Sequence, residues 1–321
     1  MPSLTRRSLG LSALALAAAT LPFPGLPLAA RAATPLRIGY QKNGALVILR
    51  QQKRLDGLGF AVEWHEFASG PPLLEAVNAG AVDFGATGDT PPIFAQAAGA
   101  DFVYVGAQPV AGANQAILVP RNSPIRGLAD LKGKRIAYTK GSSAHNVIVS
   151  ALVSVGLTPA DIQSVFLQPP EAAAAFRNGA LDAWVIWDPF LAIAEADPAT
   201  RVLATAEGIA PTNSFFLARR SYAEQHPAVI LAMLDAINGA ADWARGHPAE
   251  LADIMAEVTG VPLAVQRVAA PRGVYATQPL DATIIGRQQA IADSFASLRI
   301  IPAPIDIRAA VWTPPTAGAP L

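Results

Sequence analysis

The hydrophobic positions in the first two thirds of the chain follow a strand, turn and helix order that occurs twice. A short apolar run at 36–40 is followed by a turn containing Asn and Gly and then by an apolar helical pattern at 45–49. The same order recurs at 135–138 and 147–152. This alternation is typical of α/β folds with largely parallel sheets.

Each copy continues in the same way. A helix that starts at a proline pair and ends at a glycine is predicted at 71–80 and again at 169–179. A second strand follows, and it leads into an Asp-Thr-Pro-Pro or Asp-Pro junction. Asp89 or Thr90 in the first copy, and Asp188 in the second, are predicted N-caps of the next helix.

Matching landmarks in the two copies are separated by a nearly constant distance. The segments 37–42 and 135–140 begin alike and lie 98 residues apart, and so do the two proline pairs. Asp89 and Asp188 lie 99 residues apart. One shared offset with a single one-residue insertion predicts two related α/β lobes.

After Phe216 the pattern becomes helical. Apolar residues recur with the spacing of one helix face at 230–237 and 251–258, and a third helix is predicted at 281–298. These helices are expected to cover the first lobe. The large side chain of Trp312 suggests that the C-terminal segment also packs against the protein.

The chain is therefore expected to cross between the lobes near 117–119 and 215–217, which would make a two-strand hinge. The predicted division is residues 33–117 plus 217–321 for the first lobe and 118–216 for the second.

The first 32 residues have the features of an export signal. Arg6 and Arg7 precede an apolar stretch at 9–21 that is too short to span a bilayer, and Ala30-Arg31-Ala32 fits a cleavage site. The arginine pair suits a twin-arginine signal, although ordinary secretory signals also contain such pairs. No later segment has the apolar length of a membrane helix, so a periplasmic, soluble product is predicted.

Composition excludes several classes of protein. The sequence contains no cysteine, which excludes disulfides, cysteine-ligated metal sites, a thiol nucleophile and a lipid-attachment cysteine. Without the leader the net charge is −3, which argues against nucleic acid or an anionic membrane as partner. Neither a metal-ligand spacing nor a catalytic motif is found, so a binding protein without a cofactor or metal is predicted rather than an enzyme.

Four strand-to-helix junctions carry the candidate binding chemistry. In open α/β sheets ligands bind at the carboxyl ends of strands, where helix N-termini attract anions. Neutral donors at these junctions favour a sulfonate or sulfate, while nitrate and carboxylates stay open. The junctions lie at 41–44, 87–90, 141–146 and 187–189.

Each candidate residue also has a structural interpretation. Asp89, Asp188 and the serine pair 142–143 could serve as helix caps alone. His145 could be a buried structural residue. Trp184 and Trp187 alternate along one strand, so only one of them is expected to face a cleft.

Five segments make a family resemblance specific, and the resemblance covers nearly the whole mature chain. They resemble the periplasmic aliphatic sulfonate-binding proteins of ATP-driven (ABC) importers. The segments are RIGYQK at 37, ATGDTPPIFAQAAGADFVYVG at 86, NSPI at 122, ADLKGKRIAYTKGSSAHN at 129 and DAWVIWDPF at 182.

The resemblance implies an α/β, bilobed type II periplasmic-binding-protein fold that clamps an organosulfonate between its lobes. It also implies delivery of this ligand to a membrane permease with its ATPase, and we expect the chain to act as a monomer. The ligand-binding residues that it implies are Gln41, Thr87, Gly88, Asp89, Ser142, Ser143, His145, Asn146, Trp187, Asp188 and Ser214.

Alternatives stay open within the same fold. Taurine needs a counter-charge for its ammonium group, and the turn at 41–43 supplies no carboxylate, although Asp89 or Asp188 could. Nitrate, bicarbonate and a thiamine-precursor-type enzyme are further alternatives. The sequence departs from the family pattern at 43–47 and 110–114, which leaves the preferred tail open.

Overall fold

The computed structural model describes residues 35–210, 213–273 and 275–314, and the predicted export signal lies outside these ranges. The strands are β1 (Leu36–Tyr40), β2 (Val62–Glu66), β3 (Phe84–Gly88), β4 (Phe102–Pro109), β5 (Gln115–Pro120), β6 (Arg135–Tyr138), β7 (Gln163–Phe166), β8 (Ala183–Trp187), β9 (Thr200–Thr205) and β10 (Asn213–Arg219). The helices are α1 (Ala45–Gln51), α2 (Gly70–Asn78), α3 (Thr90–Ala97), α4 (Ser143–Ser154), α5 (Pro169–Arg177), α6 (Phe190–Glu195), α7 (Arg220–Gln225), α8 (Pro227–Gly246), α9 (Pro248–Thr259), α10 (Leu263–Ala269) and α11 (Ala282–Ser297).

Two five-stranded sheets have the same strand order. The first is β2-β1-β3-β10-β4 and the second is β7-β6-β8-β5-β9. The first three strands of each sheet are parallel, and the fourth is antiparallel to both of its neighbours. The shared order confirms the predicted α/β class and the duplicated lobe.

The antiparallel strand of each sheet comes from the other half of the chain. β5 follows β4 of the first sheet but pairs in the second, and β10 follows β9 of the second sheet but pairs in the first. The segments 117–119 and 215–217, where crossings were expected, lie inside β5 and β10. The chain thus passes between the sheets a few residues before each of these segments.

The two copies share an ion pair that joins their parallel strands. Arg37 Nη2 lies 2.8 Å from Asp83 Oδ1, and Arg135 Nη2 lies 3.0 Å from Asp182 Oδ1. Each arginine belongs to the first strand of its copy, and each aspartate directly precedes the strand beside it. The repeat seen in the sequence is therefore also a repeat of side-chain contacts.

The C-terminal helices were predicted to cover the first lobe, and they pack on both faces of its sheet. Side chains of α1, α8 and α9 pack with Phe216 on one face, and those of α2 and α11 pack with Phe215 and Leu217 on the other. This division follows from the alternation of side chains along β10. Trp312 packs against the same first-sheet core, and its backbone N–H donates to the carbonyl of Tyr104 over 2.9 Å. No helix in the described ranges is long and apolar enough to cross a membrane.

Candidate ligand-binding cleft

A cleft lies where the carboxyl ends of the parallel strands of the two sheets face one another. The turns after β1, β3, β6 and β8 all contribute to its wall. These are the four junctions at which the sequence predicted ligand contacts. A cleft in this position follows the general rule for open α/β sheets.

The two lobes approach each other at both ends of this cleft. A methyl group added at Gly88 would lie 2.9 Å from Cβ of Ser143. Asn43 Nδ2 donates to the carbonyl oxygen of Asp188 over 3.4 Å. The end of β3 therefore faces the start of α4, and the end of β1 faces the end of β8.

One end of the cleft, here called the hydroxyl end, consists of Gly88, Ser143 and Ser214. Ser214 lies beside Gly88 in the pairing of β10 with β3. Neither Ser143 nor Ser214 makes a side-chain hydrogen bond with another described residue, whereas the neighbouring Ser142 donates to the carbonyl of Thr139 over 2.7 Å. Since α4 begins at Ser143, its first backbone amides also have no helical partner. This end offers neutral donors and the positive end of a helix dipole.

The opposite end, here called the acidic end, consists of Asn114, Asp188 and Tyr275. Asp188 Oδ1 accepts from the backbone N–H of Ala192 over 3.1 Å. Its Oδ2 lies 3.6 Å from Nη1 of Arg272. Burial raises the pKa of Asp188 to about 7, although the charge of Arg272 opposes this rise.

Eight of the eleven predicted ligand-binding residues line the cleft. They come from all four junctions and from β10. The eight are Gln41, Thr87, Gly88, Ser142, Ser143, Trp187, Asp188 and Ser214.

The other three, Asp89, His145 and Asn146, are buried and do not line the cleft. Asp89 Oδ1 accepts from the hydroxyl of Thr90 over 2.7 Å, and Oδ2 accepts from Nδ2 of Asn146 over 3.0 Å. Burial raises the pKa of Asp89 to about 6 despite these hydrogen bonds. Asp89 and Asn146 thus link α3 to α4, because their side chains are hydrogen-bonded to each other.

His145 has the structural role that the sequence left open. Its ring packs between Tyr138, at 4.9 Å between ring centroids, and Phe295 of the other lobe, at 5.3 Å. Its Nδ1 accepts from the backbone N–H of Gly141 over 3.3 Å. Burial, helped by the charge of Lys140, lowers the pKa of His145 to about 4. The imidazole is therefore neutral at physiological pH.

The predicted cap at Asp188 differs in detail from the structure. α6 begins at Phe190 with Pro189 as its N-cap, one position later than expected. The carboxylate of Asp188 still accepts a hydrogen bond from the first turn of the helix, so the chemistry of the cap is retained. The two tryptophans behave as predicted, because Trp187 lines the cleft while Trp184 packs against Phe176 in the core.

The sequence analysis missed the wall that the C-terminal helices contribute. These residues lie outside the duplicated segments, and Met255 belongs to an apolar stripe on a helix that was expected only to cover the first lobe. They are Met255, Gln266, Ala269, Ala270, Gly273 and Tyr275. Together with Trp187 they make much of this wall apolar. No cluster of His, Asp and Glu in the described ranges could hold a metal ion.

Residues 29–260 match the model of the NMT1-like family. A protein of Escherichia coli (strain K12) named for binding aliphatic sulfonates is 41% identical over 283 residues, which cover 87% of this chain and 89% of the relative. The alkanesulfonate-binding protein of Xanthomonas axonopodis pv. citri, solved bound to MOPS, superposes with a TM-score of 0.84 at 42% identity, covering 87% of this chain and 98% of that one.

A third relative, the taurine-binding periplasmic protein of Escherichia coli, is 32% identical over 178 residues, or 54% of each chain. The sulfonate-binding relatives therefore match over a much larger part of this chain. Since the family model covers well over half of its residues and the two sulfonate-binding relatives each cover 87% of it, the chain belongs to the NMT1-like family.

Proposed function

We propose that this chain captures aliphatic sulfonates in its interlobe cleft and delivers them to the permease and ATPase of an ABC importer. The observation that carries the proposal is the chemistry of the hydroxyl end. Ser143, Ser214 and the start of α4 meet there, and none of them contributes a charged side chain. We further propose that it acts in the periplasm as a soluble monomer, and that it has no lipid anchor, because the sequence predicts an export signal and contains no cysteine.

The hydroxyl end suits the chemistry of a sulfonate. A sulfonate is ionised at physiological pH, and its three oxygens accept hydrogen bonds in several directions. Hydroxyls and helix-start amides can donate to it, and the helix dipole favours its charge without a full ion pair. A neutral site of this kind releases its ligand more easily than a buried arginine pair would, which suits a delivery protein.

The apolar part of the cleft suits an alkyl tail. Trp187, Met255, Ala269 and Ala270 line it, and burial of each methylene group contributes about 0.8 kcal/mol. The two alanines leave room beside the larger side chains. A tail that extends from the hydroxyl end along this wall would contact both lobes and so favour the closed state.

Calorimetric titration tests the proposed ligand. The mature protein would be unfolded and refolded to remove bound ligand, and then titrated with alkanesulfonates of two to six carbons, sulfate and nitrate. We expect tight binding of at least one alkanesulfonate and weak binding of sulfate and nitrate. A folded protein that binds nitrate or sulfate better than every sulfonate would overturn the proposal.

A serine variant tests the proposed position of the sulfonate group. Ser143→Ala should weaken alkanesulfonate binding about tenfold or more, because a hydrogen bond to an ionised group contributes roughly 1.5–3 kcal/mol. Ser154→Ala, at the far end of the same helix with its hydroxyl bonded to the carbonyl of Ala151, is the matched control and should bind normally. Equal affinity of both variants would place the sulfonate elsewhere.

A further inference from the structure

A hydrogen bond joins the starts of two helices that belong to different lobes. The hydroxyl of Ser69 donates to Oε1 of Gln168 over 3.0 Å. Ser69 precedes α2 in the first lobe, and Gln168 precedes α5 in the second. The two residues lie 99 positions apart, which is also the separation of Asp89 and Asp188. Equivalent positions of the two copies thus meet at the boundary between the lobes.

Helix capping does not account for the hydroxyl of Ser69. A serine at the N-cap usually accepts a hydrogen bond from the backbone N–H of the second or third helical residue. In α2 these residues are Pro71 and Pro72, and proline has no backbone N–H. Ser69 accordingly makes no capping hydrogen bond, although its side chain is fully buried. Its hydroxyl is directed to the opposite lobe instead.

The position of this hydrogen bond makes it sensitive to opening of the lobes. Ser69 and Gln168 follow β2 and β7, which are edge strands of the two sheets. The segments that connect the lobes lead out of β4 and β9, the opposite edge strands. A rotation about these connections moves the edges at β2 and β7 most. Opening by such a rotation therefore separates Ser69 from Gln168.

In the first lobe, Ser69 is held against the cleft wall. The next residue, Gly70, has no room for a side chain, because an added Cβ would lie 2.5 Å from Cγ of Pro91 and 3.1 Å from Cβ of Thr87. The residues in this contact that line the cleft are Gly70, Thr87 and Pro91, and Ser69 itself does not line it. A displacement of the turn after β3 would therefore reach Ser69 through close contacts.

In the second lobe, Gln168 is linked to the junction before α4. The carbonyl of the preceding residue, Leu167, accepts from the hydroxyl of Thr139 over 2.8 Å. The carbonyl of Thr139 in turn accepts from the hydroxyl of Ser142 over 2.7 Å. Ser142 lines the cleft, whereas Gln168 does not. Both partners of the interlobe hydrogen bond are thus connected to the cleft wall without being part of it.

These contacts point to a role in ligand retention. We propose, resting on the function proposed above, that the hydrogen bond between Ser69 and Gln168 is a latch that holds the lobes closed over a bound sulfonate. The bond forms only after the lobes have closed, so it slows the release of ligand and leaves its entry unchanged. One neutral hydrogen bond is weak enough to break when the ligand is delivered.

Removal of the hydroxyl tests the latch. The probe is the alkanesulfonate that the native protein binds best, and stopped-flow tryptophan fluorescence measures its binding rates, since Trp187 lines the cleft. In Ser69→Ala we expect dissociation about three- to tenfold faster, the range that one neutral hydrogen bond provides, and association within about twofold of the native rate. Ser297→Ala, whose hydroxyl bonds to the carbonyl of Ser294 within α11, is the matched control and should release ligand at the native rate.

A double-mutant cycle assigns the effect to the pair. Gln168→Ala should speed release by the same factor as Ser69→Ala, and the double variant should release ligand no faster than either single variant. Effects that multiply in the double variant, or a native release rate in Ser69→Ala, would overturn the latch and leave the proposed function intact. Failure of the native protein to bind any alkanesulfonate would overturn both.

Thiol labelling tests the movement of this edge independently of the hydrogen bond. The native chain contains no cysteine, so Ser69→Cys introduces a single reactive group at a buried position. Saturating alkanesulfonate should slow its alkylation by iodoacetamide about tenfold or more, because alkylation requires the lobes to open. Ser297→Cys, at an exposed position, should react at the same rate with and without ligand. Equal alkylation of Ser69→Cys in both conditions would show that this edge does not close on the ligand and would refute the latch.

Discussion

At the scale of single residues, Asp89 and Asp188 occupy equivalent positions in the two copies but have different surroundings. Each carboxylate oxygen of Asp89 accepts a hydrogen bond, one of them from Asn146 of the opposite lobe. Asp188 has Arg272 at 3.6 Å and one oxygen without a hydrogen bond. The same position thus joins the lobes in one copy and faces the cleft in the other. Sequence spacing could not predict this difference, because it depends on what the opposite lobe supplies.

The burial of Asp89 predicts a pH dependence of stability. Its folded-state pKa of about 6 lies above the value near 4 of an unfolded chain. The folded protein therefore binds a proton more readily, and the contribution of Asp89 to stability falls as pH rises from about 4 to about 6. In Asp89→Asn this part of the decline, about 3 kcal/mol, should be absent.

Urea unfolding of the native protein and of Asp89→Asn at several pH values between 4 and 7 measures the effect. Asp188 also has a raised pKa, but it titrates in both proteins and cancels in the comparison. Two parallel curves of unfolding free energy against pH would show that Asp89 does not titrate in this range.

The repeated ion pairs differ in burial and should differ in energy. The side chain of Asp83 is 2% exposed and accepts from both Arg37 and Arg219, whereas that of Asp182 is 32% exposed and pairs with Arg135. Burial alone would raise the pKa of Asp83, but the two arginines outweigh it and lower the value. Asp83→Asn should therefore reduce the free energy of unfolding by about 3 kcal/mol.

Asp182→Asn is the natural control, because the same substitution is made at the equivalent position. Its cost should be about 1 kcal/mol or less, since the pair is partly exposed to solvent. Denaturant unfolding at neutral pH compares the two variants. Equal losses would show that burial does not set the strength of these pairs.

At the scale of helices and strands, local patterns predicted what local sequence determines. The apolar runs at 36–40 and 135–138 match β1 and β6, and the proline and glycine positions mark α2 and α5. The antiparallel partners β5 and β10 were recognised as crossings but not as central members of the opposite sheets, because that pairing joins distant segments. The same reason explains why only part of the cleft was predicted. Its four junctions follow from strand ends, whereas the wall that contains Met255 and Tyr275 depends on how the C-terminal helices pack.

Gly88 illustrates how closely two such segments approach. It has no Cβ, and an added one would lie 2.9 Å from Cβ of Ser143, closer than packed side chains tolerate. Gly88→Ala should push the end of β3 away from the start of α4 and weaken ligand binding about tenfold or more. Gly286→Ala on α11 meets no atom within 4 Å and should bind ligand normally while gaining about 0.5–1 kcal/mol of stability. Calorimetry and thermal unfolding of both variants check this, and normal binding by Gly88→Ala would contradict it.

At the scale of the whole molecule, the contacts between the lobes differ on the two sides of the cleft. On one side α3 and α4 are joined by the buried pair of Asp89 and Asn146 and by His145, which packs against Phe295. On the acidic side the contacts include the long hydrogen bond from Asn43 and the ion pairs of Arg272 with Glu195 and Asp188, all of them nearer to solvent. The latter contacts cost less to break. We therefore expect the lobes to separate first at the acidic end.

We expect closure on the ligand, because a sulfonate held between Ser143 and Ser214 would contact both lobes and stabilise their approach. Small-angle X-ray scattering should show a smaller radius of gyration when the refolded protein is saturated with its best sulfonate. Gly88→Ala at a saturating concentration of the same ligand should stay closer to the unliganded value, because its added methyl group meets Ser143 before the lobes are fully closed. If the native protein has the same radius of gyration with and without ligand, then closure is not how this cleft retains a sulfonate.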